Sequence, residues 1–444
     1  MSKFIDFRQH FAKEIKAMSD SPIKPINNLL FSKHIVVDHS SIRSREHSFA
    51  MASISTYPII EGVQQGEPNC DKVGIVRFTN ATLIALGDGC GWGTKSSIAA
   101  RQAVYTSLDT IIEKSQSLTT VKSVAELLVD IAELAQQSIF KTRISSQEGV
   151  GTTTLTLSFT FSTLKDKIKT VALCIGDSKL YHYNSKNKTV KSCFGERHKT
   201  VDKTSVCLSC LGDAGGGLPA LRGSGLLCFD VQENDCLIAA TDGMYDNFEP
   251  SIIMQKMHAK DALNKILGQR IQQCANLCLC VESLCNYVIE VTEKTRQFHQ
   301  NNPRQRRPDG LPGKLDHTTI ALVCVEKVNK DVGLVDRYEP PQFKTLVPQT
   351  QISRVLHSKS FGEKDRVTVV PVKQVGRLTP VECEGTLSPP KPHERGSSGD
   401  STKESLFTLI KHKVGTFTPP KRTPCITSTS VTPRMYRENI SDAN

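Results

Sequence analysis

Thr82-Leu83-Ile84-Ala85-Leu86-Gly87-Asp88-Gly89-Cys90-Gly91-Trp92-Gly93 is an apolar run that stops on an aspartate and continues with glycines at alternate positions. An apolar run of this length bounded by glycine reads as a buried strand. The glycines let the backbone turn sharply and approach a ligand closely, which sets the Asp88 carboxylate at the lip of a sheet. Asp-Gly by itself is ordinary turn chemistry. The arrangement returns, however, at Val171-Ala172-Leu173-Cys174-Ile175-Gly176-Asp177-Ser178 and at Cys236-Leu237-Ile238-Ala239-Ala240-Thr241-Asp242-Gly243. In Lys314-Leu315-Asp316-His317-Thr318-Thr319-Ile320-Ala321-Leu322-Val323 the aspartate opens the run instead. Four carboxylates at the ends of core strands, far apart in sequence, read as a converging acidic cluster. Such a cluster repels itself unless a cation neutralises it. Hard oxygen donors without histidine or thiolate partners favour Mg²⁺ or Mn²⁺ over zinc.

Around these motifs the chain has room for more than one unit. Its 444 residues allow one large domain plus extras, and 38% hydrophobic content is modest for a wholly globular chain. No stretch has the apolar length of a membrane span, and Met1-Ser2-Lys3-Phe4-Ile5-Asp6 has no signal core. Fifteen scattered cysteines fit a reducing compartment, cytoplasmic or nuclear. The net charge of +11 suits acidic or phosphorylated partners. Nucleic acid is not an expected partner, because no motif interleaves basic and aromatic residues.

Phe4, Phe7, Phe11, Ile15 and Met18 recur at helical spacing and predict a short amphipathic helix in residues 1–30, docked on the rest of the chain. Two helices are predicted within 94–141, from the stripes Ile98, Ala99, Ala103, Val104, Leu108 and Val124, Leu127, Leu128, Ile131, Leu134, Ala135. Strands are predicted over 151–161, 170–175, 179–183 and 318–327, and helix over 251–295. Gly212-Asp213-Ala214-Gly215-Gly216-Gly217 reads as a flexible loop on the site side, and Asp213 lacks the preceding apolar strand of the other aspartates. Cys207-x-x-Cys210 is half a zinc site without a second pair at suitable spacing. Cys274, Cys278 and Cys285 fall on a stripe of helix core. The arginines of 296–314 make a basic loop that either meets an acidic substrate or is solvated. From about residue 345 apolar periodicity fades, and Thr379-Pro380, Ser388-Pro389, Thr418-Pro419, Thr423-Pro424 and Thr432-Pro433 suggest a disordered, phosphorylatable tail able to bind a regulatory partner.

In order, the Asp88 strand end, Gly151-Thr152-Thr153-Thr154, Ile175-Gly176-Asp177-Ser178, Ala240-Thr241-Asp242-Gly243 with Asp246, and Asp316-x-x-Thr319 resemble the motifs of the metal-dependent protein phosphatases of type 2C, the PPM family. The resemblance implies an α+β, four-layer αββα sandwich with two central antiparallel sheets, spanning about 31–340 between the N-terminal segment (1–30) and the tail (341–444). It implies a monomeric serine/threonine phosphatase acting on phosphorylated proteins through a metal-activated water. Two Mg²⁺ or Mn²⁺ ions are implied, with a weaker third. By resemblance Asp88 bridges the pair, Asp242 and Asp316 complete one ion, Glu46 and the Gly89 carbonyl complete the other, and Asp177 attends the third. Arg43 or Arg45 would clamp the substrate phosphate. Two departures stand out. Cys90 replaces a histidine that serves many members as proton donor, and His47 replaces an aspartate of the outer metal shell. The expectation is a slow phosphatase; its rival is a pseudophosphatase that keeps the fold as a binding surface.

Overall fold

A computed structural model describes residues 5–326 apart from 28, 31–34, 38–40, 46–47, 144–148, 195–206 and 257. In chain order the helices are α1 (Phe7–His10), α2 (Ala12–Ala17), α3 (Thr94–Lys114), α4 (Val121–Lys141), α5 (Asp242–Tyr245), α6 (Ala259–Leu263), α7 (Gln269–Gln273) and α8 (Leu277–Asn301). The strands are β1 (Ile35–Val37), β2 (Ser41–Arg45), β3 (Phe49–Ser55), β4 (Ile59–Ile60), β5 (Val63–Gln64), β6 (Asp71–Arg77), β7 (Ala81–Cys90), β8 (Thr152–Thr153), β9 (Leu155–Ser162), β10 (Ile168–Ile175), β11 (Lys179–Asn184), β12 (Thr189–Ser192), β13 (Leu211–Gly212), β14 (Gly225–Val231), β15 (Cys236–Ala240) and β16 (His317–Cys324).

Two antiparallel sheets result. One has the order β1-β6-β7-β9-β10-β14, with the short β8 and β13 attached at the end of β7; the other has the order β12-β11-β15-β16-β3-β2. β7 explains why its run is apolar throughout. Ile84 and Leu86 point into the core between the sheets, where they meet Phe49, Met51, Ala239 and Ala321. Leu83 and Ala85, on the opposite face, meet the helix layer of α3 and α4. A strand buried on both faces has no polar side to alternate with. On the far side Ala52, Ile238, Ala240, Ile320 and Leu322 pack against Val281, Leu284 and Val288 of α8. The outcome is the four-layer αββα sandwich.

The helices follow their sequence periods. α4 begins in a reciprocal cap, with Thr120 Oγ1 accepting from Ser123 N at 3.0 Å and Ser123 Oγ accepting from Thr120 N at 3.0 Å. Its stripe Val124, Leu127, Leu128, Ile131 is buried. The amphipathic N-terminal stretch is two short helices rather than one, because the chain turns at Phe11. Phe7, Phe11 and Ile15 are buried in the same core as α4, and Arg8 donates to Asp130 at 2.6 and 2.7 Å. The basic stretch begins inside α8: Arg296 is a buried member of that helix. Of the cysteine stripe, Cys285 is buried in α8 and Cys278 lies in its first turn, while Cys274 ends α7. No helix among the described residues is long and apolar enough to cross a membrane. The tail lies outside the described residues.

A candidate cation site at the sheet ends

Antiparallel register brings the aspartates to one end of the sandwich. Asp71 opens β6 directly opposite Asp88 of β7. Asp177 follows β10 by two residues, and Asp242 follows β15 by two. Asp316 precedes β16, whose first residue, His317, pairs with Ser55 at the end of β3. Gly176 is the residue that lets the chain leave β10 here. Its φ is +114°, and an added Cβ would stand 2.4 Å from Thr154 Cβ. Asp88 is held through its backbone: its N–H donates to Thr154 Oγ1 at 3.0 Å, and its carbonyl accepts from Thr154 N at 2.7 Å and Thr153 Oγ1 at 2.9 Å. The Gly-Thr-Thr-Thr motif thus serves as the splint of the Asp88 strand end.

Electrostatics confirm the crowding. Burial raises the Asp88 carboxyl well above its ordinary range, and Asp71, Asp242, Asp177 and Asp316 push it further. Asp242 is raised for the same reasons, burial first and then Asp316, with Lys314 opposing. Burial lifts Asp71 to about 6 against the Thr241 hydroxyl, which donates to Asp71 Oδ2 at 2.8 Å. A lysine reaches in among these acids. The Lys314 ammonium contacts Asp242 Oδ2 and lies 3.0 Å from both Asp246 Oδ2 and Asp316 Oδ2. A fixed chain of aromatics borders the cluster: Trp92 Nε1 donates to Tyr57 Oη at 2.8 Å, and Tyr57 Oη donates to Asp316 Oδ1 at 3.0 Å. Trp92 is 67% exposed at the lip.

Of the acids read from the sequence, Asp88, Asp177, Asp242 and Asp316 meet, and Gly89 is beside them in β7. Glu46 and His47 lie outside the described residues. The two arginines are not brought to the acid end. Arg43 pairs with Met51 and Arg45 with Phe49, and β3 reaches the acids only at Ser55. At about 3.3 Å per residue, Arg45 starts roughly 20 Å away along the strand. By backbone register β2 runs from the acid end at Ser41 towards the opposite end at Arg45. The acid that stands beside Asp88 is Asp71, whose signal was an aspartate opening the apolar run Val73-Gly74-Ile75-Val76, as in the Asp316 motif. Lys314 was equally visible, two residues before Asp316, and only its reach into the cluster was hidden.

The donors are all hard oxygens, and six aspartates (71, 88, 177, 242, 246, 316) face Lys72, Lys179 and Lys314, which act on them electrostatically. That chemistry fits Mg²⁺ or Mn²⁺. The geometry fits less well, because no group of three or more His, Cys, Asp or Glu among the described residues is arranged to hold a metal ion. The half zinc site gains a neighbour: the Cys90 thiol is in hydrogen-bonding contact with Cys207 and Cys210. Asp213 stays out of the cluster. It accepts from Gly215 N and Gly217 N at 3.2 and 2.9 Å and pairs with Arg143.

No family model matches the chain. It is 25% identical over 200 residues to the PP2C-like domain-containing protein CG9801 of Drosophila melanogaster, a match covering 42% of this chain and 27% of that one. The chain thus spans little more than a quarter of that relative. Among solved structures it is similar to the Mycobacterium tuberculosis serine/threonine phosphatase PstP/Ppp (13% identity, 64% of this chain, all of that chain, TM-score 0.41). It is also similar to the PPM Ser-Thr phosphatase MsPP of Mycobacterium smegmatis in complex with cacodylate (15% identity, 64% of this chain, all of that chain, TM-score 0.40). It is similar as well to the catalytic domain of PstP in complex with two manganese ions (13% identity, 64% of this chain, 99% of that chain, TM-score 0.39). The ordered motifs and the Drosophila match agree that the folded part of this chain resembles the type 2C-like (PPM) phosphatases.

Proposed function

We propose that the domain hydrolyses phosphoserine or phosphothreonine esters on protein substrates with the help of Mg²⁺ or Mn²⁺. The observation that supports this is the assembly of Asp71, Asp88, Asp177, Asp242, Asp246 and Asp316 at one end of the sheets, despite burial and mutual repulsion that raise Asp88 and Asp242. Lys314 offsets part of that charge, and a bound divalent cation would offset the remainder. The residues that would hold an ion are Asp88 with the Gly89 carbonyl, together with Asp71 and Asp177; Asp242 and Asp316 share Lys314. When bound, such an ion supplies charge against the phosphoryl oxygens and acidifies a water that serves as nucleophile. This chain's own part is to fix the carboxylates, through the Thr153–Thr154 splint and the Thr241 hydroxyl, and to offer the exposed Trp92 as a lip for the substrate peptide. Cys90 is a poor proton donor, since contact with Cys207 and Cys210 and burial raise its thiol, so the leaving group must take its proton from solvent and turnover is slow. The activity is assigned to residues 31–340, in the cytoplasm or nucleus of a monomeric protein, with 341–444 as a regulatory tail.

A second reading is favoured by Lys314: a domain that binds phosphoproteins and does not turn them over. Phosphate release from a phosphothreonine peptide with Mn²⁺ separates the two. The wild type should exceed Asp88→Asn by about a hundredfold or more; equal rates would remove the hydrolase and leave the binding module.

A further inference from the structure

Lys314 is not a surface lysine that happens to fold over the acids. Its backbone is clamped in both directions by one side chain: Lys314 N donates to Asn247 Oδ1 at 2.8 Å, and Asn247 Nδ2 donates to Lys314 O at 3.0 Å. Asn247 also donates to Gly243 O at 2.8 Å, and so ties Lys314 to the short helical segment that carries Asp242 and Asp246. The preceding Gly313 has φ +83° and packs so close to α8 that an added Cβ would be 2.8 Å from Thr292 Cα. Backbone, loop and helix together aim one side chain at three carboxylates.

An ammonium has three N–H donors and no acceptor. Here three different aspartates, 242, 246 and 316, each place one oxygen on it. Two of its donors are hydrogen-bonded to Asp242 and Asp246, and Asp316 lies at ion-pair distance, so the ammonium is committed to the cluster. The same three carboxylates are the group that would otherwise surround a divalent ion, and two like cations cannot share that space without strong repulsion. Resting on the reading of this acid cluster as a cation site, we propose that Lys314 is a built-in cation that occupies one of two ion positions. The chain then takes up at most one divalent ion, on the side of Asp88, Asp71 and Asp177. On the Asp242–Asp246–Asp316 side part of the negative charge is offset by an ammonium tethered to the chain itself, whatever the metal supply.

The test is a count of ions on the full chain. After chelator treatment, Mn²⁺ is titrated and bound ions are counted by native mass spectrometry, with free Mn²⁺ followed by its paramagnetic resonance signal. Wild type should bind no more than one ion tightly, and Lys314→Ser should bind one more. The variant should also melt several degrees lower in chelator and recover with Mn²⁺, whereas the wild-type melting point should be less sensitive to chelator. Two tightly bound ions on wild type, or the same count on both proteins, would overturn the proposal. If Lys314→Ser fails to fold, the wild-type count decides alone: two ions overturn the proposal, and one or none upholds it. Phosphate release is scored separately. A wild type without turnover whose Lys314→Ser variant gains an ion keeps the built-in cation and ends the hydrolase reading.

Discussion

Asp235 and Asp88 are both carboxylates packed into the same sandwich, and their surroundings act on them in opposite directions. Asp235 has no exposed side-chain surface, yet Oδ1 accepts from Ser185 N and Oγ at 2.9 and 3.0 Å, while Oδ2 accepts from Gln232 N at 2.9 Å and contacts His182 Nε2 at 2.7 Å. Burial alone would raise its carboxyl, but these donors outweigh burial and lower it. Asp88 has carboxylates for neighbours and is raised instead. A carboxyl lowered by folding stabilises the protein above its unfolded value, near 3.9, and that contribution is lost as pH falls through the lowered value. Asp235→Ala should therefore cost about 1–3 kcal/mol at neutral pH, from donors left buried and unpaired. In urea titrations the gap between variant and wild type should narrow below about pH 4. A gap that stays constant down to pH 2 (roughly two units below the unfolded value) would show that the charge of Asp235 is not what matters.

At the scale of elements, the site depends on how closely α5 approaches the start of β16. Gly243 is the point of closest approach: an added Cβ would lie 1.9 Å from the His317 carbonyl oxygen and 2.9 Å from Asp316 Cβ. Backbone cannot yield as a long side chain can, so Gly243→Ala should cost about 1–3 kcal/mol by overpacking. It should also spread Asp242 from Asp316 around Lys314, so the urea midpoint of Gly243→Ala combined with Lys314→Ser should fall by less than the two single losses added together. Strictly additive losses would show that the two acids do not act together on Lys314. The same elements show what was legible locally. α3, α4 and β7 announce themselves by period or by an unbroken apolar run, because their faces are set by nearest neighbours in the chain. β2 does not announce its direction relative to the acids, since that depends on the register Ser41–Ser53 and Ser55–His317. The phosphate-clamp expectation for Arg43 or Arg45 turns on that register, which residue order alone does not carry.

Across the whole molecule, stability is shared among three apolar layers: helix against sheet, sheet against sheet, and sheet against helix. The N-terminal stretch belongs to the first of these. Phe7 and Phe11 are each 1% exposed, so these members of the amphipathic pattern, with Ile15, are spent on the protein's own core. Phe11→Ala should cost about 3–5 kcal/mol, measured by urea denaturation. A loss under about 1 kcal/mol would mean that the helix pair contributes only locally.

The sequence by itself determined the elements and the chemical type of the site: apolar runs ending on aspartate make strands that carry oxygen ligands, and that follows from residue order and period alone. Only the tertiary structure decided which charges face one another. Asp71 meets Asp88 by strand register, Lys314 enters among Asp242, Asp246 and Asp316 by a loop clamp, and Arg45 is carried away by β2. Coulomb interaction falls with distance in space and is blind to distance along the chain, so the partners of a buried charge become known only when the sheets are paired.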